Sequence, residues 1–128
     1  GSFTSAELYG GSGEQSLDSL AIDGSDRLLL TGSFEGTFTF DGHSEVAAGG
    51  SDLYGIRLDT SGGLDWMMKV GSSVDDTPAS ITTDADSRAW LAGTFTADID
   101  LDPTKGSDER SADGGSGVWV VQVSSGGP

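Results

Sequence analysis

The chain has 128 residues, with 21 Asp and Glu against 6 Lys and Arg, a formal charge of -15 and 21 glycines. Such acidity excludes nucleic acid and anionic membrane surfaces as partners, because phosphate binding rests on clustered Lys and Arg that release counterions. The absence of cysteine excludes a disulfide framework, a thiolate nucleophile and Cys-ligated metals, and no apolar run approaches the roughly 18 residues needed to insert into and span a membrane.

Taken in chain order, Gly1-Ser2 has the look of an expression remnant, which leaves room for a natural secretion leader ahead of it. Residues 18–22, 27–34, 53–59 and 64–70 are short, rich in apolar and aromatic side chains and bounded by Gly, Ser and Asp clusters. They read as strands A, B, C and D, with a further short strand at 36–40. Asp23-Gly24-Ser25-Asp26 and Asp59-Thr60-Ser61-Gly62-Gly63 supply residues that tolerate positive φ, and so read as hairpin turns. No stretch predicts a helix longer than about one turn.

From residue 71 the chain repeats itself. Sliding it by 61 residues lays Gly10 on Gly71, Ser12 on Ser73, Ser19 on Ser80, Asp23 on Asp84, Arg27 on Arg88, Leu30 on Leu91, Gly32 on Gly93, Phe34 on Phe95 and Asp41 on Asp102. These are 9 identities in 32 ungapped pairs, where background usage gives about two. The register then slips by four residues between Asp102 and Gly115, so that residues 50–54 lie on 115–119. Residues 10–70 and 71–128 each carry 10 acids and 3 bases, which makes the acidity a property of the repeat. Four antiparallel strands recurring at this spacing predict an all-β fold of propeller blades, each burying its faces against its neighbours. A β-sandwich accounts for the strands but not for the repeat.

The phase of the repeat divides the chain further. The same offset places Phe3 on Leu64 and Gly10 on Gly71, so residues 3–9 stand where a strand D belongs. Residues 10–70 form one complete blade, and 71–128 form a second that stops after strand C, giving a permuted blade boundary. The expected partner is therefore the chain itself, in a cyclic homo-oligomer of three or four chains closed by strand exchange, or else the further blades of a longer chain.

The residues 21–24, 29–42, 49–54 and 58–66, which include Leu30-Thr31-Gly32-Ser33-Phe34 and Gly50-Ser51-Asp52-Leu53-Tyr54, carry a resemblance. So do Trp90-Leu91-Ala92-Gly93-Thr94-Phe95 and residues 98–103 of the second copy. From residue 10 to 127 the chain resembles the bacterial SBBP repeat, a β-propeller repeat of cell-surface and secreted proteins. It departs from that pattern at Asp86 and Ser87, which replace a turn glycine, and at Gly117, which stands where Asp52 does in the first copy. The resemblance implies a propeller in an extracellular or cell-surface setting and no particular reaction.

Among candidate sites, residues 98–109 place acids at positions 1, 3, 5 and 12, the oxygen spacing of a calcium loop. Pro103 at position 6, where an EF-hand needs a turn glycine, excludes an EF-hand proper. A looser Ca²⁺ site remains, with Asp98, Asp100 and Asp102 on one strand face and Asp108 or Glu109 returned towards them. Its alternative is a solvated acidic face. Asp84 with Asp86, and Asp75 with Asp76, form carboxylate pairs of the kind a glycosidase uses, although Asp23 and Asp84 open equivalent turns and read more simply as turn formers. His43, the only histidine, reads as a loop residue. Trp66, Trp90, Trp119, Tyr9 and Tyr54 are the candidate sugar-stacking platforms, but the matches of Tyr54 to Trp119 and of Leu29 to Trp90 favour a core role. Gly32 and Gly93 read as bulges or as points of close backbone approach near the propeller axis. The leading expectation is a non-enzymatic interaction or self-assembly scaffold, with no cofactor beyond Ca²⁺. A lectin-like propeller and a glycoside hydrolase fragment are the alternatives.

Overall fold

The fold is all β. The computed structural model describes every residue except 5, 103 and 105, and the side chains of all of these but residues 78 and 79. The strands are β1 (Gly10–Ser12), β2 (Ser19–Ile22), β3 (Leu28–Phe34), β4 (Thr37–Phe40), β5 (His43–Val46), β6 (Asp52–Leu58), β7 (Leu64–Ser72), β8 (Thr77–Thr83), β9 (Ala89–Phe95), β10 (Ile99–Asp100), β11 (Glu109–Arg110) and β12 (Gly117–Val123). No described residue is helical.

Strands β2, β3, β6 and β7 form an antiparallel meander, strands A to D of the first repeat, and β10 and β11 extend that sheet beyond β7. A second meander, β8, β9 and β12, is A to C of the second repeat, and β1, β4 and β5 form a small third sheet. The copies agree residue for residue. Leu28 faces Leu58 and Phe34 faces Asp52 in the first; Ala89 faces Val123 and Phe95 faces Gly117 in the second. In the same way Gly11 pairs with Phe38 and Gly10 with Thr39, while Ser72 pairs with Ile99 and Gly71 with Asp100. Phe38 opposite Glu45 corresponds to Ile99 opposite Arg110, which places the four extra residues of the second copy in the hairpin loop 101–108.

The turns repeat as well. Asp23 accepts the backbone N–H of Ser25 at 2.8 Å and of Arg27 at 3.1 Å, and binds the Arg27 guanidinium at 2.7 Å. Asp84 does the same for Asp86, Arg88 and the Arg88 side chain. An Asx-type acceptor closes both turns. The residue that takes positive φ is the last of each, Asp26 at 59° and Ser87 at 58°, and Gly24 does not.

The two meanders pack face to face. One face of the first, with Leu29, Leu53, Trp66, Met68 and Val70, meets Ile81, Ala89, Leu91, Phe95, Trp119, Val121 and Val123 of the second in a single buried cluster. Gly55 makes this approach possible, since a Cβ there would lie 2.9 Å from Leu91 Cδ2. The opposite face of the first meander holds Tyr54, Ile56 and Leu58 with Phe34, Phe38 and Phe40. Among the described residues it is partly covered by the small sheet and by Tyr9, which stacks on Phe40 at 3.5 Å. The described residues among 3–9, expected as a strand D, form no strand within this chain; among the described residues, pairing begins at Gly10.

Candidate functional site

Equivalent side chains of the two copies differ in exposure, and the differences sort by face. Leu29 and Leu53, on the first meander's inner face, are 0% and 2% exposed, whereas their equivalents Trp90 and Val118 are 38% and 77% exposed. Arg57 is buried and its equivalent Gln122 is exposed. On the other side the order reverses: Ile81 is 3% exposed and its equivalent Leu20 is 58%. Each meander therefore has a leading and a trailing face. The trailing face of the first covers the leading face of the second, and the two remaining faces are open. Open on the trailing side are Trp90, Val118 and Val120; open on the leading side are Leu20, Ile22 and Leu17, beside a groove of about 290 Å³ between Leu8, Tyr9, Leu30, Phe38 and Tyr54. Apolar surface concentrated in this way marks an interaction site more than scattered single residues do. The outer edge of β12 pairs with no described residue, so it also presents unpaired backbone groups.

Trp90 corrects the core expectation for that residue. It lies outward, and its indole N–H donates to Asp84 at 3.1 Å. That bond, with burial opposing it and Arg88 reinforcing it, holds the Asp84 carboxyl well down, at about 2. Trp66, Trp119 and Tyr54 are buried, the Tyr54 hydroxyl donates to the Ser16 carbonyl at 2.7 Å, and burial and then Asp18 push its pKa up to about 12. Gly32 and Gly93 are points of close approach, as their place in the repeat predicts: a Cβ on Gly93 would lie 2.6 Å from the Trp119 ring, and one on Gly32 would fall on the Ser16 carbonyl oxygen.

The acidic residues of the second copy are engaged with their own loop. Asp100 accepts the backbone N–H of Asp102 at 3.0 Å and of Asp108 at 2.9 Å. Asp102 accepts the Thr104 hydroxyl at 2.6 Å and its N–H at 2.8 Å, bonds that lower its pKa. Asp108 pairs with Arg110 at 2.7 Å, and Asp98 and Glu109 are exposed. Asp100 and Asp102 share the wall of a cavity of about 610 Å³ with Glu45 and Lys69, yet among the described residues no three His, Cys, Asp or Glu side chains form a group able to hold a metal ion. Pro103, the residue that excludes an EF-hand, lies outside the described residues. His43 is exposed in β5, a strand that a Gly-rich surrounding and an irregular polar sequence do not announce.

A buried carboxyl pair went unread in the sequence. Asp52, matched only to Gly117 in the second copy, is fully buried, and Asp76 is 3% exposed. Asp52 accepts the Ala48 N–H at 2.9 Å and lies 3.4 Å from Lys69 Nζ. Asp76 accepts the Ser72 N–H at 2.6 Å, and its own N–H donates to Ser51. Oδ1 of each finds no partner among the described residues. Burial raises the Asp76 pKa; the Ser72 bond opposes this, and Asp52 and Asp75 add to it. Asp75, by contrast, is exposed and accepts the Ser51 N–H. The carboxylate pair 75 and 76 thus ties two loops together and does not converge on a solvent-filled cleft.

No family model, curated protein or solved structure matches the chain.

Proposed function

We propose that the chain is a non-enzymatic, propeller-type module that works as an interaction and self-assembly scaffold, in the extracellular or cell-surface setting that its resemblance to the SBBP repeat implies. The observation that carries this is the face-specific exposure of equivalent residues. The interface buried between the two meanders is made from a trailing and a leading face, and the chain offers one more of each, on opposite sides. Trailing on leading is a heterologous contact, which propagates from copy to copy and closes when the accumulated rotation allows. Propellers of six or eight blades would take three or four chains of two blades each.

A carbohydrate platform built from several aromatics has weaker support, because of the three tryptophans only Trp90 is exposed. The hydrolase alternative has less, since Asp84 is held by Arg88 and Trp90 as a turn acceptor. Multi-angle light scattering at micromolar concentration tests the assembly: a mass of three or four times 13.0 kDa is expected, and a monomeric mass would overturn self-assembly.

A further inference from the structure

The first residues of the chain already stand where the end of a preceding blade's strand D would stand. β1 pairs with β4 in the register in which the last residues of β7 pair with β10. Tyr9 is the equivalent of Val70, and Phe40 of Leu101; Val70 and Leu101 belong to the cluster between the two meanders, and Tyr9 and Phe40 are stacked. Tyr9 therefore occupies, on the leading face of the first meander, the place that the strand D residue Val70 occupies on the leading face of the second. Followed backwards from Tyr9, the chain runs into residues 3–8, the equivalents of the portion of β7 that pairs with β6. Here the described residues of that segment pair with nothing described, and Leu8 and Phe3 are 97% and 83% exposed. Leu8 lines the apolar groove, and with Phe3 it lies on a segment whose counterpart is a strand; two exposed large apolar side chains on such a segment call for an edge to pair with. Within this chain β6 already has β7 on one side and β3 on the other.

We infer that residues 3–9 of one copy add as a fourth strand to the free edge of β12 of a second copy, an inference that rests on the assembly reading above and names its joint. The register follows from the first meander. There Leu53 faces Val70, Tyr54 faces Lys69, Gly55 faces Met68 and Leu58 faces Leu64. Carried over, Tyr9 faces Val118, Leu8 faces Trp119, Glu7 faces Val120 and Phe3 faces Val123, all antiparallel. The donated strand completes the acceptor's second blade, while Trp90, Val118 and Val120 of the acceptor cover Leu20, Ile22 and the apolar groove of the donor. The partner is thus a second copy of this chain, and the contact is main-chain pairing with alternate side chains inserted on either face.

Because the chain has no cysteine, the register is testable by crosslinking the full protein. Glu7→Cys combined with Val120→Cys, oxidised with copper phenanthroline, is expected to give a ladder of disulfide-linked multimers on non-reducing gels, since residues directly opposite hold their Cβ atoms about 5 Å apart. Glu7→Cys combined with Ser124→Cys, four residues out of register, is expected to give at least tenfold less. In light scattering, Leu8→Asp and deletion of residues 3–8 are each expected to shift the mass to the monomer, with the far-UV circular dichroism of the parent retained. Equal crosslinking in both pairs, or an oligomer unchanged by Leu8→Asp and by the deletion, would overturn the strand exchange and leave assembly through the blade faces standing. A monomeric parent would remove both.

Discussion

Asp76→Asn is expected to stabilise the protein at neutral pH. The first copy supplies the precedent, because the equivalent of Asp76 is Gln15, whose side-chain oxygen accepts the Gly11 N–H at 3.3 Å, just as Asp76 accepts that of Ser72 at 2.6 Å. An amide oxygen keeps that bond. The amide N–H₂ then replaces a buried oxygen that has no described partner, beside Asp52, whose Oδ1 lacks a donor too. The charged groups around the site are Asp52, Asp75 and Lys69, so the substitution removes one negative charge from a locally acidic set. An unsatisfied buried polar group costs about 1–3 kcal/mol, and relieving it incompletely gives a gain of about 1–2 kcal/mol at pH 7. The sign of the pH dependence follows from the raised native pKa. An unfolded Asp titrates near 3.9, so the penalty of the wild-type carboxylate is fully present above the raised native value and disappears as pH falls through it. The advantage of the variant should therefore be full at pH 7 and close below about pH 4. Urea unfolding at both pH values, with the m-value unchanged between proteins, measures it. A variant less stable than the parent at pH 7, or a gap of constant size across the range, would refute the assignment of Asp76 as a strained buried acid.

Ser87→Gly should stabilise by about 0.5–1 kcal/mol, since Ser87 holds φ at 58° in a region that costs an L residue more than glycine; a lowered melting temperature would count against it. Gly93→Ala should destabilise by about 1–3 kcal/mol through overpacking against Trp119 and the Thr77 carbonyl, the latter 2.8 Å from the added Cβ, and chemical denaturation reads it. Carboxyl NMR should find Asp84 titrating near 2, with the stability it lends present above the unfolded value near 3.9 and lost as pH falls towards 2. Trp90→Leu removes the first of the bonds that lower it, so the Asp84 titration should move up; an unmoved value would show that Arg88 and the turn N–H groups set it.

The strands were legible because each carries its own signal. Residues 27–34 and 53–59 combine β-branched, aromatic and leucine side chains with Gly, Ser and Asp at their ends, and β3 and β6 fall within a residue of those bounds. The repeat supplied the rest: once Asp23 lies on Asp84, two Asx turns are read for one, and both are present. The short strands β5 and β11 were not legible. His43–Val46 and Glu109–Arg110 are polar and brief, and they pair because β4 and β10 return beside them, not because their residues favour a pleated surface.

Burial was legible only as far as neighbours are alike in the two copies. Leu29 and Trp90 occupy the same position in strand B, and the match alone makes both core residues. Yet Leu29 has the second meander against it, whereas among the described residues no further sheet is stacked on Trp90, so one is sealed and the other is not. The same holds for Leu53 and Val118, and in reverse for Leu20 and Ile81. A sequence position specifies which face of a strand a side chain occupies; whether that face is dry depends on what is stacked on it. Asp52 and Asp76 follow the same rule in polar form. Each has a neutral equivalent, Gly117 or Gln15, and each became a buried charge because two loops, near residues 48–52 and 72–76, close over one another at the joint with Lys69. What distinguishes the copies is therefore their neighbours. In the proposed assembly, the open faces and the edge of β12, which pairs with no described residue, are where blades of another copy would make the two repeats alike.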